Sequence, residues 1–82
     1  MPSHRVLLFA TLRDLVGQES VHIHLPANAT VAQLRAALGE QYPALAPYLD
    51  TAIIAVNHTF TTDATPIHPE DEIAAFPPVS GG

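Results

Sequence analysis

Residues 20–41 read SVHIHLPANATVAQLRAALGEQ and contain a strand pattern followed by a helix pattern. In residues 20–26 the side chains alternate between apolar and polar, which is typical of a strand with one buried face. The apolar face carries Val21, Ile23 and Leu25, and the polar face carries His22 and His24. This stretch therefore predicts a half-buried strand that forms a hairpin with the strand before it.

The helix pattern begins at a capping signature. Thr30 and Gln33 form a Thr-x-x-Gln capping box, in which each side chain accepts a hydrogen bond from the other residue's backbone N–H. Apolar residues then share one helical face, at Val31, Leu34, Ala37 and Leu38, with Arg35 and Glu40 turned away. Pro43 lacks the N–H that a helix needs, so we expect the helix to end at about residue 41.

Other short runs complete the pattern on both sides of this unit. The apolar run at residues 4–10 predicts the first strand, and residues 11–16 predict one helical turn closed by Gly17. Residues 44–48 predict a compact connector. The remaining strands are expected at residues 52–56, 59–61 and 72–76, with a tight turn at residues 57–58. The element order is β-β-α-β-β-β.

This order predicts an α+β fold. A hairpin, a helix and strands that return to the same sheet place one main helix across a mixed sheet of about five strands. Connection rules favour the first and last strands side by side in the middle and parallel. That arrangement is the β-grasp, or ubiquitin-like, fold. We expect it to occupy residues 1–76, with a flexible tail at residues 77–82.

Composition limits the function classes. The 82 residues suffice for one domain with a single core. Three arginines, no lysine and eight carboxylates give a net charge of −5, which argues against binding to nucleic acid. The absence of cysteine excludes disulfides and thiolate chemistry. No apolar run is long enough for a membrane span or a secretory signal, so we expect a cytoplasmic protein that does not bind membranes.

Residues 77–82 read PPVSGG and predict a projecting tail. Pro77 and Pro78 cannot continue a sheet ladder and favour an extended chain, whose six residues reach on the order of 20 Å. Gly81 and Gly82 lack Cβ atoms and fit a narrow channel. The terminal carboxylate is ionised at neutral pH and can attack the α-phosphate of ATP. The alternative is a frayed terminus without function, and the β-grasp layout favours the reactive tail.

The sequence resembles a known family, the small sulfur-carrying subunits of molybdopterin synthase, which belong to the ubiquitin-like sulfur carriers. The likeness extends over nearly the whole chain. The residues that carry it are 6–10 (VLLFA), 12–17 (LRDLVG), 55–57 (AVN), 71–74 (DEIA) and 76–82 (FPPVSGG). The last of these is the specific part, since a terminal Gly-Gly alone is a weak signal.

The resemblance implies a cycle in which this chain is a covalent co-substrate and not an enzyme on its own. An E1-like adenylating enzyme converts Gly82 to an acyl adenylate with ATP and Mg²⁺. A sulfurtransferase or cysteine desulfurase supplies sulfur for a thiocarboxylate. The large synthase subunit then uses that sulfur to build the dithiolene of molybdopterin on cyclic pyranopterin monophosphate, in an expected heterotetramer of two small and two large subunits. This chain itself is expected to bind no cofactor.

The resemblance also assigns roles by position. Gly82 is the activated residue, and the inserted tail comprises Pro77, Pro78, Val79, Ser80 and Gly81. Phe9 and Phe76 belong to the apolar partner face, with Arg13 as a further candidate. Family members often carry glycine where this chain has Glu70, so the geometry of the turn before the last strand is in question.

Other interpretations stay open at this point. The chain can be a sulfur carrier for thiamine, cysteine or thiolated-tRNA synthesis, although thiamine carriers usually lack the Phe-Pro-Pro segment. It can instead be a ubiquitin-like modifier of target lysines, or an interaction domain with an inert tail. His22 and His24 have a spacing that could chelate a metal, but a solvated strand face is the better interpretation, and we expect no metal site. His4, His58 and His68 have no evident partners.

Overall fold

The computed structural model describes residues 3–78, which form five strands and three α-helices. The strands are β1 (Ser3–Leu8), β2 (Ser20–His24), β3 (Ile53–Val56), β4 (Thr59–Phe60) and β5 (Ile73–Phe76). The helices are α1 (Ala10–Val16), α2 (Val31–Gln41) and α3 (Ala46–Leu49), and a 3₁₀ turn (Pro43–Leu45) joins α2 to α3. The predicted connector at residues 44–48 is therefore a 3₁₀ turn continued by a short helix.

The five strands form one mixed sheet in the order β2-β1-β5-β3-β4. β1 and β5 are parallel and lie next to each other, with Leu7 opposite Ala74. β2 is antiparallel to β1, and β3 is antiparallel to both β4 and β5. The first and last strands are therefore central and parallel, and the predicted β-grasp fold is confirmed.

The core lies between α2 and one face of the sheet. Val6 and Leu8 on β1 point into it, as do Val21 and Ile23 on β2, because alternate residues of a strand face the same side. α2 contributes Val31, Leu34, Ala37 and Leu38, the four positions expected from its spacing. Full burial of a leucine or isoleucine side chain stabilises the folded state by roughly 1.5–3 kcal/mol, so this cluster supplies most of the driving force.

The predicted capping box of α2 is present. The backbone N–H of Thr30 donates to Gln33 Oε1 at 2.9 Å, and that of Gln33 donates to Thr30 Oγ1 at 3.5 Å. These bonds satisfy N–H groups that have no partner in the first helical turn. Gln41 is the last residue of α2, as expected from Pro43.

Arg35 leaves the apolar face of α2 as predicted, but it is half-buried and holds the next segment in place. Its Nη1 donates to the carbonyl oxygens of Leu49 at 2.5 Å and Ala52 at 2.6 Å. Its Nε lies 2.9 Å from Asp63 Oδ1. Arg35 thus ties α2 to the end of α3, to the start of β3 and to the loop after β4.

Two predicted strands are too long at their ends. β1 ends at Leu8 because the carbonyl oxygen of Phe9 accepts a hydrogen bond from Leu12, which starts α1. Ala10, with φ of 51°, is the first residue of that seven-residue helix, so its placement in a strand was wrong. β2 ends at His24 rather than at residue 26, where proline has no N–H to donate to a ladder. Gly17 closes α1 in the left-handed conformation, as predicted.

The predicted tight turn between β3 and β4 is confirmed. Asn57 and His58 have φ values of 52° and 67°, and positive φ at both central residues matches the right-handed twist of a hairpin. β4 is shorter than predicted, since Thr61 lies beyond it. Thr61 nevertheless donates from its backbone N–H and from Oγ1 to the carbonyl oxygen of Ile54.

Between residues 3 and 78, no helix combines the length and the apolar character that a bilayer crossing requires.

Candidate functional site

The sheet face opposite α2 carries an apolar row that crosses four strands. The register aligns Leu7 on β1 with Ala74 on β5, Ala74 with Ala55 on β3, and Ala55 with Phe60 on β4. Phe60 is 75% exposed and is the most exposed large apolar side chain of the described residues. A solvent-facing sheet surface is normally polar, so this row indicates a surface that contacts another molecule.

Two phenylalanines stack beside this row at the end of the sheet where β5 terminates. The ring centroids of Phe9 and Phe76 are 4.6 Å apart and the rings are nearly parallel, with an interplanar angle of 13°. Phe9 is 39% exposed, whereas Leu8 beside it is buried. Adjacent residues of an extended chain face opposite sides, so Phe9 faces outward while Leu8 faces the core.

The row and the aromatic stack line one groove of about 270 Å³, which we call the open-face groove. Its lining residues are Leu7, Phe9, Ala55, His58, Phe60, Glu72, Ala74 and Phe76. Most of the lining is apolar, and two charged or polar side chains stand at one rim. A concave apolar surface with a few polar groups is the usual form of a site that receives a partner's side chain.

The polar rim is formed by His58 and Glu72. His58 Nε2 lies 3.1 Å from Glu72 Oε2, and both side chains are exposed, so the pair adds little to stability. The sequence assigned no partner to His58, and this expectation was wrong. The contact joins the β3–β4 turn to the start of β5. The two residues are 14 positions apart, so no local sequence pattern predicts their contact.

Asn57 fastens the same two segments more firmly. Its backbone N–H donates to the carbonyl oxygen of Glu72 at 2.7 Å, and its Oδ1 accepts from the backbone N–H of Glu72 at 2.9 Å. Its Nδ2 donates to Asp71 Oδ1 at 3.0 Å. These three bonds fix the start of β5. Because the strand has four residues, they also fix the position of its last residue, Phe76, which stacks on Phe9.

The turn before β5 forms without a glycine. The backbone N–H of Asp71 donates to the carbonyl oxygen of His68 at 3.0 Å, and Asp71 Oδ2 accepts from the backbone N–H of His68 at 2.8 Å. The hydrogen bond from His68 lowers the pKa of Asp71, and the Asn57 amide adds to the effect. Glu70 does not adopt positive φ, so the question raised by its replacement of glycine is resolved.

The chain leaves the sheet after Phe76. The backbone N–H of Phe9, just after β1, donates to the carbonyl oxygen of Ala75 at 3.2 Å. Pro77 is half-buried and Pro78 is exposed, and neither belongs to a strand. Val79, Ser80, Gly81 and Gly82, which the sequence assigns to the inserted and reactive part of the tail, lie outside the described residues. Their roles stay predictions.

Arg13 is not brought to the open-face groove. It lies on α1, where its Nε is 3.8 Å from Asp14 Oδ1 and its side chain is about half exposed. Its proposed place on the partner face stays a prediction, without support from the groove geometry.

Phe60 was missing from the candidates found in the sequence. A signal for it was present, because a two-residue turn at Asn57-His58 pairs Ala55 with Phe60. Ala55 precedes the buried Val56 and so faces away from the core, and Phe60 must share its side of the sheet. This two-step inference across the turn identifies the residue.

The histidine pair on β2 lies on an exposed strand face. His22 is opposite Arg5 and His24 is opposite Ser3, and neither neighbour is a third ligand. Over residues 3–78, no group of three or more His, Cys, Asp or Glu side chains could hold a metal ion.

Comparison with known proteins identifies similar chains over almost the full length. The ThiS family matches residues 6–82. The chain is 36% identical over 81 residues to a molybdopterin synthase sulfur carrier subunit of Dictyostelium discoideum, covering 95% of this chain and 94% of that protein.

Two solved structures are similar in fold. The small archaeal modifier protein 1 of Haloferax volcanii superposes with a TM-score of 0.85 at 27% identity, covering 96% of this chain and all of that one. A complex of subunits 1 and 2 of the molybdopterin-converting factor from Helicobacter pylori contains a chain with a TM-score of 0.66 and 28% identity. That likeness covers 98% of this chain and 99% of the other.

Proposed function

The chain belongs to the ThiS family, and from this premise we propose that it is the sulfur carrier subunit of a molybdopterin synthase. The observation that carries the proposal is the 36% identity, over nearly the whole of both chains, to a protein with that function. The final Phe-Pro-Pro-Val-Ser-Gly-Gly of the sequence supports the same assignment.

The proposed chemistry takes place at the carboxyl group of Gly82. Its oxygen attacks the α-phosphorus of ATP, pyrophosphate leaves, and an acyl adenylate forms in an E1-like enzyme that uses Mg²⁺. A thiol reductant releases hydrosulfide from the persulfide of a sulfurtransferase or a cysteine desulfurase and is itself oxidised to a disulfide; the hydrosulfide then displaces AMP and leaves a thiocarboxylate. Glycine suits both steps because no side chain hinders attack at its carbonyl carbon.

The second half of the cycle takes place in the large subunit. The tail delivers the thiocarboxylate sulfur to cyclic pyranopterin monophosphate, and two deliveries complete the dithiolene. In this scheme the large subunit supplies the catalytic side chains, and this chain acts as a covalent co-substrate. The complex of the two subunits from Helicobacter pylori supports a large-subunit partner for this chain, which we place in a heterotetramer.

The open-face groove is the proposed docking surface for the large subunit. Phe60 and Phe9 present aromatic area to solvent, and Phe76 joins that surface directly to the tail. Because Phe76 is the last residue of β5, a partner bound to the groove also receives the tail at a fixed starting point. Docking and delivery are therefore one event in this proposal.

Intact mass measurement tests the carrier chemistry. The chain is incubated with an E1-like adenylating enzyme, ATP, Mg²⁺ and a sulfur donor, and a chain without Gly81 and Gly82 serves as the control. We expect the full chain to gain the mass difference between sulfur and oxygen, and the shortened chain to stay unchanged. A full chain that never changes mass with any matching activating enzyme contradicts the proposal.

A second candidate function is protein modification. The solved structure named small archaeal modifier protein 1 is similar to this chain over its full length, and it favours this candidate. A modifier and a carrier share the adenylation step and differ in the nucleophile that follows. Isopeptide bonds between Gly82 and target lysines, formed directly from the acyl adenylate with no thiocarboxylate intermediate, would support the modifier.

A further inference from the structure

We propose that the lack of lysine in this chain prevents its activated carboxyl group from being captured by the side chains of other copies. The inference rests on the proposed adenylation of Gly82. It concerns an observation that the carrier function does not explain: none of the 82 residues is a lysine, although three are arginine.

The chemistry at stake is aminolysis of the acyl adenylate. An unprotonated amine attacks the carbonyl carbon of Gly82, a C–N bond forms, and the bond from carbon to the phosphate oxygen breaks. AMP leaves with that electron pair, and the amine loses a proton to solvent. A lysine amine, with an ordinary pKa of about 10.4, performs this reaction, whereas a guanidinium stays protonated in proteins and offers no free lone pair.

The structure shows that the fold requires arginine at only one of its three positions. Arg35 uses the forked guanidinium, since Nη1 contacts two carbonyl oxygens and Nε contacts Asp63. A lysine ammonium is a single point and cannot reproduce three contacts made by two nitrogens. The absence of lysine at residue 35 is therefore explained by geometry.

The other two arginines have no such requirement. Within residues 3–78, the guanidinium groups of Arg5 and Arg13 donate no hydrogen bond, and both side chains are exposed. Arg13 has only its ion pair with Asp14 at 3.8 Å, which an ammonium would make equally well. Packing and hydrogen bonding therefore do not exclude lysine at these positions.

Arg13 lies near the end of the sheet where the chain leaves it, whereas Arg5 lies at the other end of β5, level with Glu72. Arg5 lies on the same open sheet face as Leu7, and α1, which carries Arg13, begins directly after Phe9 where β5 ends. A lysine at position 13 would present an amine near the end of the sheet that the chain leaves after Phe76, and a lysine at position 5 would present an exposed amine to other copies. Arginine keeps the positive charge there and removes the nucleophile.

The test adds lysine at exposed positions outside the groove and the tail. Gln18→Lys and Gln41→Lys are compared with Gln18→Arg and Gln41→Arg, which carry the same charge without a nucleophilic amine. Gln18 and Gln41 are exposed, and Gln41 ends α2, where a positive charge is compatible with the helix dipole. Each protein is incubated with the adenylating enzyme, ATP and Mg²⁺, with no sulfur donor, and is followed by pyrophosphate release and intact mass.

We expect all five proteins to release pyrophosphate. Only the lysine variants should form a species of twice 8.7 kDa less one water that is joined through a side chain, and its initial rate of formation should rise about ten-fold per pH unit below the pKa of the added amine, about 10.4. Self-adducts of the native chain that peptide mapping places on a side chain, or lysine variants with no adduct at the added residue, would overturn the inference and leave the proposed function intact. Absence of pyrophosphate release from every protein would instead contradict the proposed activation, and the inference would fall with it.

Discussion

The exposure of Phe60 is not explained by the packing of the fold. Phe60 stands on a strand of two residues, three-quarters exposed, while the core is complete without it. Among the residues from 3 to 78, Phe60 lies beside the apolar row and the aromatic stack of the open-face groove. Aromatic residues at the centre of an interface commonly contribute a large share of the binding free energy.

Phe60→Ser should therefore weaken binding to the large subunit and leave the fold intact. We expect the dissociation constant to rise by about 30-fold, equivalent to about 2 kcal/mol, because a buried aromatic anchor is lost. The free energy of unfolding should change by less than about 0.5 kcal/mol, since the side chain is exposed in the free chain. Calorimetric titration and urea unfolding measure the two quantities.

Tyr48→Ser provides the matched control, because Tyr48 is also an exposed aromatic residue but does not line the groove. It should bind like the native chain. Equal weakening by the two substitutions would remove the groove from the docking surface.

The contribution of His4 to the free energy of unfolding depends on pH. His4 is 2% exposed on β1, opposite Ile23, and its Nδ1 has no hydrogen-bond partner within residues 3–78. Burial lowers the pKa of His4 below its usual value of 6.5, and the Asp71 carboxylate opposes only part of this effect. The folded chain therefore resists protonation of His4, whereas the unfolded chain does not.

The free energy of unfolding should fall as the pH drops below about 6.5, because the unfolded chain then binds a proton that the folded chain does not. Above that pH His4 is neutral in both states, so it adds nothing to the pH dependence of the free energy of unfolding. His4→Leu should flatten this dependence between about pH 6.5 and pH 5, where Asp71, with its lowered pKa, is still ionised. Urea unfolding across the pH series measures it.

His24→Gln replaces an exposed histidine and should keep the slope of the native chain. A slope that persists unchanged in His4→Leu would show that another group is responsible.

At the scale of elements, Asn57 joins a turn to the strand that carries the tail. It has φ of 52°, a conformation that asparagine tolerates better than most residues, and its side chain makes two hydrogen bonds to the segment before β5. Both properties depend on the same residue, so two substitutions are needed to separate them.

Asn57→Gly should lower the free energy of unfolding by about 2 kcal/mol, because two side-chain hydrogen bonds of about 1 kcal/mol each are lost. Asn57→Ala should lower it by about 3 kcal/mol, since the left-handed conformation costs alanine a further 1 kcal/mol or so. Urea unfolding measures both. Equal values for the two variants would show that the backbone conformation adds nothing, and no change in either would contradict the fastening role.

The sequence predicts the elements well where a local pattern determines them. Alternation on β2, the Thr30–Gln33 box and the two-residue turn each lie within a few residues, and the structure contains all three. Parallel pairing of β1 with β5 followed from connection rules that apply to any such order.

Two of the misses have a different cause, which is distance along the chain. Arg35 contacts a carboxylate 28 residues away, and His58 contacts Glu72 across the sheet; no periodic pattern encodes either contact. The end of β1 was misplaced because Phe9 and Ala10 are as apolar as the strand before them. Only the hydrogen bond from Leu12 to Phe9 shows that a helix has begun.

At the scale of the whole molecule, the two faces of the sheet have separate purposes. One face buries the core beneath α2, and the other carries the open-face groove that ends at Phe76. The chain has a net charge of −5, which favours partners with basic surfaces and steers their association at low ionic strength. A docking face that adjoins the strand from which the chain leaves the sheet fits the proposed carrier function.

The most direct test of the proposed function follows sulfur from this chain to the pterin. The thiocarboxylated chain is mixed with the large subunit and cyclic pyranopterin monophosphate, and intact mass and dithiolene product are measured in the same sample. We predict that two equivalents of the chain return to the carboxylate mass for each molybdopterin formed. A thiocarboxylate that persists, with no dithiolene product although the two subunits bind each other, would contradict the assignment to molybdopterin synthesis.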